Sequence, residues 1–209
     1  ACSHSRPIPI THPECIESQF DIADESALTR FTDHTIKTFG KINLWINNAG
    51  ILDPISPVRE MTNTAFEHAI NVNLKGVFLA SKLFINHVRS QKHKGLLINI
   101  SSGAAQKSYA HWGAYCATKA AMERLTACIA EEELESGLRA ISLSPGVIDT
   151  DMQAQIRKCS KEQFPMVQKF HTIKAENAFN TPAQVARYII KVHQDIEKSD
   201  IIPPLMARI

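Results

Sequence analysis

Apolar positions along the chain follow two rhythms that take turns. Short, nearly continuous apolar runs occupy residues 42–46, 96–100 and 138–143, and a weaker one occupies 17–22. Runs of this length, bounded by turn residues, predict buried strands. Between them apolar residues return every three or four positions, the rhythm of a helix with one buried face. Asp24-Glu25-Ser26 opens such a stretch through Leu28, Phe31, Ile36 and Phe39, closed by Gly40. Thr62 or Asn63 caps another, with Phe66, Ile70, Leu74, Val77, Phe84 and Val88 on one face. A third runs from about residue 113 to 135. A fourth opens at Thr181-Pro182, an N-cap followed by proline at the first helical position, and runs to about residue 196.

Strands alternating with helices of this length predict an α/β fold, a doubly wound parallel sheet. No repeat, low-complexity stretch or Gly/Pro-rich linker divides the chain, so residues 1–209 read as one domain, with 151–175 as a mobile helical excursion. Ligands of such sheets bind beyond the carboxyl ends of the strands. The polar clusters at 47–50, 101–102 and 145–150 all follow strands and are expected to converge there.

Composition narrows the classes. Of 209 residues, 44% are hydrophobic and 21% charged, the balance of a globular chain. Lys plus Arg number 23 against 21 acidic residues, so no basic excess points to nucleic acid. No apolar run is long enough to span a bilayer, and residues 1–7 lack a signal-peptide core. Five cysteines without a CxxC pair argue for a reducing, cytoplasmic setting rather than a disulfide framework. Nine histidines without HExxH or paired cysteine spacing suggest no metal site.

Candidate chemistry centres on Tyr115-Cys116-Ala117-Thr118-Lys119. Tyrosine and lysine four apart share a helix face. An ammonium beside a phenol favours the phenolate, making the tyrosine a plausible general acid/base. Alone, the spacing also suits a surface pair on an amphipathic helix. Ser101 and Ser102 follow a strand, where a hydroxyl either binds a carbonyl or caps a turn. Asn73 sits mid-helix, where asparagine is disfavoured, and would bend the helix, hold a water or simply face solvent. Asn47-Asn48-Ala49-Gly50 and Pro145-Gly146 with Thr150 offer close backbone approach after strands, or ordinary turns. Cys116 lacks a neighbouring base and reads as a packing residue. His111 and Trp112 edge the pocket or lie in an exposed loop.

Asp21, NNAG at 47–50, Asn73, Ser102, Tyr115, Lys119 and PG at 145–146 occur in one order, with compatible spacing. Together they resemble the short-chain dehydrogenase/reductase family, whose fold is Rossmann-like. The resemblance runs from about Arg6 to Met152. The stretches 111–120 and 144–153 look nearest its sepiapterin reductase and benzil reductase branch. The resemblance implies that Tyr115 donates a proton to a carbonyl oxygen as hydride arrives from a nicotinamide. Lys119 would hold the ribose and lower the Tyr115 pKa, Ser102 would orient the carbonyl, and Asn73 would anchor a relay water. Asp21 and Ile22 would contact adenine; Asn48, Ala49 and Gly50 the adenosine and ribose; Pro145, Gly146, Val147 and Thr150 the nicotinamide. Trp112 would border the substrate. Arg6 would meet a 2′-phosphate, favouring NADP(H) over NAD(H), unless it is merely solvated. The implied substrate is a small ketone or diketone of some aromatic character. The implied assembly is a homodimer or homotetramer through the helix at 62–90 and the Tyr115 helix.

One part of the family pattern is missing. A glycine-rich turn ordinarily brings a helix N-terminus to the pyrophosphate, yet all eight glycines lie from Gly40 onward. The first β–α–β unit therefore reads as absent, by truncation of a longer chain. Its loss would split the sheet and expose apolar surface. The 209 residues alone are expected to bind cofactor poorly, an expectation that a tight complex in titration calorimetry would refute. Two rivals stand beside the reductase: an inactive fragment or scaffold that keeps the helices for association, and a serine hydrolase. The latter needs a GxSxG elbow, which residues 99–103 do not form.

Overall fold

The computed structural model describes residues 1–4, 12–198 and 206–209. Arg6 lies outside the described residues. The sheet is in two pieces. Strand β1 (Cys2–Ser3) pairs in parallel with β2 (Ser18–Gln19). The larger sheet is fully parallel, in the order β3 (Leu44–Asn47), β4 (Gly95–Ile100), β5 (Leu138–Ser144), β6 (Met206–Arg208). The helices are α1 (Glu25–Phe39), α2 (Asn63–Ile70), α3 (Gly76–Gln91), α4 (Gly113–Glu132), α5 (Asp151–Lys158), α6 (Val167–Ala175) and α7 (Pro182–Lys198). The doubly wound α/β architecture expected from the alternation is the one observed.

Local chemistry sets the element ends. The Asp24 carboxylate accepts the Ala27 N–H at the start of α1, and Gly40 ends it at φ +82°. Thr62 caps α2 by accepting the Ala65 N–H. The core follows the period of two in the central strands. Leu96, Ile98, Ile141 and Leu143 face Val185, Ile189 and Ile196 of α7. Leu97, Leu138 and Ala140 face Phe84 and Val88 of α3 and Ile129 of α4. Strands buried on both faces explain why the sequence shows continuous apolar runs there.

Two expectations shift. The stretch at 62–90 is not one regular helix: a π-helical turn at Asn71–Lys75 separates α2 from α3. The wider turn rotates the buried face, so Ala69 is buried while Phe66, expected in the core, is exposed. Residues 17–22 yield only the two-residue β2. Among the described residues no helix is long and apolar enough to cross a membrane.

Strand register levels the site. Asn47 lies opposite Asn99, and Asn99 opposite Ser142. Asn47 Nδ2 donates to Asn99 Oδ1 at 2.8 Å, and Asn99 Nδ2 donates to Thr126 Oγ1 of α4 at 2.8 Å. This buried polar ladder holds β3, β4 and α4 at one height. The loops that follow Asn47, Ile100 and Ser144 thus leave the same edge of the sheet.

Candidate active site

Tyr115 and Lys119 lie one turn apart on α4, at 6% and 5% exposure. Lys119 Nζ donates to the Ile100 carbonyl at the end of β4, at 2.7 Å, and lies 5.8 Å from the Tyr115 ring centre. Burial pulls the Lys119 ammonium down to a pKa of about 8, against the opposing charge of Glu123. Ser102 lies close enough to Tyr115 for its hydroxyl to act on the phenol. Burial raises the Tyr115 phenol above its ordinary value; Ser102 acts the other way, and Cys116 adds a small rise. Tyr115 is thus raised, not lowered as the Lys119 neighbour led one to expect, and burial is the largest cause. Ser102 also accepts the Ala104 N–H, so it caps the following turn as well.

Asn73 falls within the π-helical turn and has no exposed surface. Its amide is engaged by Ile51 and by Thr118 Oγ1. A Cβ built at Gly50 would lie 3.4 Å from Asn73 Oδ1 and 3.5 Å from Lys119 Nζ. Gly50 is thus the point where the NNAG loop touches both residues. Sequence spacing had placed Asn73 on a helix; only the fold brings it to this loop.

Asp21, Ile22, Asn48, Ala49 and Gly50 line one cavity of about 840 Å³. Residues of both sheet pieces border it, from Cys2 and Ser3 on one and Leu44 to Asn47 on the other. Ser102, Tyr115 and Lys119 do not line it; Gly50 joins the two regions. Pro145, Gly146 and Val147 follow β5. Asn180 clamps them: its Nδ2 donates to the Pro145 and Ile209 carbonyls at 3.0 and 3.1 Å, and its N–H donates to the Val147 carbonyl. Thr150 occupies the N-cap position of α5, without a side-chain capping bond.

Trp112 is brought to Tyr115, edge to face at 5.9 Å, but is itself 4% exposed. It stacks on Phe164 at 4.5 Å and packs against Tyr109 and Phe170. With Leu52, Ile156 and Val167 these residues form an apolar cluster around Tyr115. Phe164, Phe170 and Asn180 carry no motif and were not legible beforehand. They come from the segment after β5, whose residues 151–158 and 167–175 form α5 and α6.

A parallel α/β sheet with Ser, Tyr and Lys gathered beyond a strand end, beside a cavity lined by a glycine-containing loop, defines the doubly wound class of protein, whose ligands bind at the carboxyl ends of the strands. Comparison with known proteins agrees. A profile described as short chain dehydrogenase matches residues 9–161. A benzil reductase ((S)-benzoin forming) of Bacillus cereus is 35% identical over 181 residues, covering 84% of this chain and 73% of its own. Among solved structures, the YIR035C short chain dehydrogenase/reductase of Saccharomyces cerevisiae superposes with a TM-score of 0.75 at 26% identity, covering 90% of this chain and 80% of its own. ElxO with NADP bound gives 0.74 at 25% identity, covering 93% and 76%. The chain belongs to the short-chain dehydrogenase/reductase family of NAD(P)-dependent oxidoreductases.

Proposed function

We propose that the protein is an NADP(H)-dependent carbonyl reductase acting on ketones or diketones of aromatic character, with Tyr115 as proton donor. The observation that carries this is the buried pair Tyr115 and Lys119, one helical turn apart, with Lys119 Nζ held at 2.7 Å on the Ile100 carbonyl at the strand end that leads to Ser102. When bound, NADPH supplies the hydride. As negative charge grows on the substrate oxygen, Ser102 Oγ–H and Tyr115 O–H point donors at it. Tyr115 then gives up its proton, and the Lys119 ammonium stabilises the phenolate left behind. Asn73 serves this centre by holding the loop at Gly50 and, in the proposed role, a water on the path that returns the proton.

The residues suit the cofactor at its two ends. Asp21, Ile22 and Asn48 to Gly50 would take the adenosine half, and the Pro145–Val147 turn with Thr150 the nicotinamide. The chain's 209 residues hold no glycine-rich turn for the pyrophosphate. NADP(H) over NAD(H) rests on Arg6, supported by the NADP-bound relative. The aromatic cluster at Trp112 and the similarity to benzil reductase support the substrate class. Exposed Phe66 and Phe78 on the helices of the 62–91 stretch support a homodimer or homotetramer. The whole chain is read as one domain of the cytoplasm.

The test is NADPH oxidation with benzil and with an aliphatic ketone, for wild type and Tyr115→Phe. Because the 209 residues are expected to bind cofactor poorly, NADPH is raised until the rate no longer climbs; there we expect benzil turnover in wild type and a loss of about 10²-fold or more in the variant, the scale of a lost general acid. A Tyr115→Phe variant with wild-type turnover would reject the role of Tyr115. Wild-type protein inert toward every carbonyl would favour the scaffold.

A further inference from the structure

Three successive residues at the end of β4 meet three residues on one side of α4. The Ile100 carbonyl accepts from Lys119, Ser101 Oγ donates to Glu123, and Ser102 lies beside Tyr115. Tyr115, Lys119 and Glu123 follow one another every fourth position, so they form a gently turning stripe along the helix. Tyr115, Lys119 and Ser102 belong to the proposed chemistry. Glu123 does not, and neither the family pattern nor the spacing singled it out.

Its carboxylate is committed on both oxygens. Oε1 accepts from Ser101 Oγ at 2.6 Å, and Oε2 accepts from Gln106 Nε2. Ser101 is 4% exposed, and its N–H makes the backbone bond to the Leu143 carbonyl that ties the end of β4 to β5. Gln106 follows the short 3-10 turn at Gly103–Ala105, which Ser102 itself caps. Glu123 therefore grips the chain immediately before Ser102 and again four residues after it. Gln106 Nε2 also reaches Met206 Sδ of β6 at 3.7 Å, so the same grip touches the outer strand.

We infer that Glu123 is a positioning residue of the centre: its carboxylate fixes the Ser101–Gln106 turn so that Ser102 stays beside Tyr115, and sets one negative charge a helical turn from Lys119. Its kinetic consequence rests on the reductase reading; its structural one does not. Among the described residues, the groups that face Lys119 are few. From α4 come the Tyr115 ring and Glu123, from β4 the uncharged Ile100 carbonyl, and from the NNAG side Gly50 with the neutral Asn73 amide. Glu123 is the anion in that set. The groups on Glu123 itself, Ser101 and Gln106, are neutral. A charged hydrogen-bonded carboxylate in a partly dry site acts more strongly than an exposed one.

The experiment uses the full chain as wild type, Glu123→Gln and Glu123→Asp. Glutamine keeps the size and an acceptor for Ser101 but removes the charge. Aspartate keeps the charge on a shorter arm. Lys119 is titrated through its ¹³Cε shift in lysine-labelled protein, which needs no turnover. We expect Glu123→Gln to lower the Lys119 midpoint by about half a pH unit or more, and Glu123→Asp to recover part of it. In parallel, the alkaline limb of kcat/KM for the reduction is expected to move to lower pH in Glu123→Gln by a similar amount, with the KM for NADPH changed less than about twofold. A Lys119 midpoint unmoved in Glu123→Gln overturns the inference, as does an unmoved alkaline limb in an active enzyme. Wild-type protein that reduces no carbonyl removes the reductase reading alone, and the titration still decides the place of Glu123.

Discussion

Asn73 holds the backbone of Ile51 from both sides: its Oδ1 accepts the Ile51 N–H at 2.8 Å and its Nδ2 donates to the Ile51 carbonyl at 2.9 Å. The pairing imitates one rung of a β-ladder, made by a side chain from inside a π-helical turn. It explains how an asparagine is accommodated mid-helix with no exposed surface. Asn73→Ala strands both Ile51 groups. Each buried backbone group left unpaired costs about 1–3 kcal/mol, so a clear fall in the urea midpoint is expected. Asn73→Asp keeps the acceptor, loses the donor and places a charge in a buried site; it is expected to fold no better than alanine. A midpoint equal to wild type for Asn73→Ala would show that Ile51 finds other partners.

Gly146 adopts φ +74°, and a Cβ there would meet Asn180 Nδ2 at 2.3 Å and the Ile209 carbonyl at 3.1 Å. Both the backbone and the space exclude a side chain. Gly146→Ala is expected to lose about 1–3 kcal/mol and to raise the KM for the cofactor, because the Asn180 clamp on Pro145 and Val147 must give way. Thermal melts and cofactor titrations check this. An unchanged melt would mean that the Asn180 side chain swings aside freely.

Phe164 has no exposed surface and stacks flat on Trp112, which meets Tyr115 edge on. Phe164→Ala is expected to cost about 3–5 kcal/mol, the usual range for a buried aromatic. On the proposed function, kcat/KM for benzil should fall more than for a small aliphatic ketone. Equal losses on both substrates would separate the cluster from recognition and leave it a structural role.

His87 and His93 hold the two sides of Ile42, which leads into β3. His87 Nε2 accepts the Ile42 N–H at 3.0 Å, and His93 Nε2–H donates to the Ile42 carbonyl at 2.9 Å. Burial lowers the His87 pKa from its ordinary 6.5, and the neighbouring His93 lowers it further. Above 6.5 both folded and unfolded His87 are neutral, and its contribution is complete. As pH falls through 6.5 toward the lower folded value, the unfolded chain takes up a proton that the fold excludes, so stability is lost. His87 accepts its bond whereas His93 donates one, which makes His87 the member that loses its bond on taking up a proton. The urea midpoint is expected to drop between about pH 7.5 and 5.5, and His87→Gln, which still offers an acceptor, to flatten part of that drop. An identical slope in the variant would place the titration elsewhere.

The helix and strand rhythm, the Asp24 and Thr62 caps, the closing Gly40 and the shared face of Tyr115 and Lys119 were all legible in the chain. Each depends on neighbours within a few residues, where the periods of 3.6 and 2 and the capping chemistry act directly. The family pattern was legible for the same reason, since its motifs are short and ordered. The π-helical turn was not. A regular apolar stripe through Phe66 and Ile70 predicts an unbroken helix, and the insertion that turns Phe66 outward answers to Ile51, 22 residues away from Asn73.

What only the tertiary structure decided are contacts between segments far apart in sequence. Ser101 meets Glu123 across 22 residues, Pro145 meets Asn180 across 35, and Trp112 stacks on Phe164. None has a local signature, because each exists only once the parallel register sets Asn47, Asn99 and Ser142 side by side and brings the strand ends level. The amino-acid sequence by itself determined which groups of this protein are proposed to carry the chemistry. Packing of helices on a levelled sheet decided what surrounds those groups, and with it their burial, charge and partners.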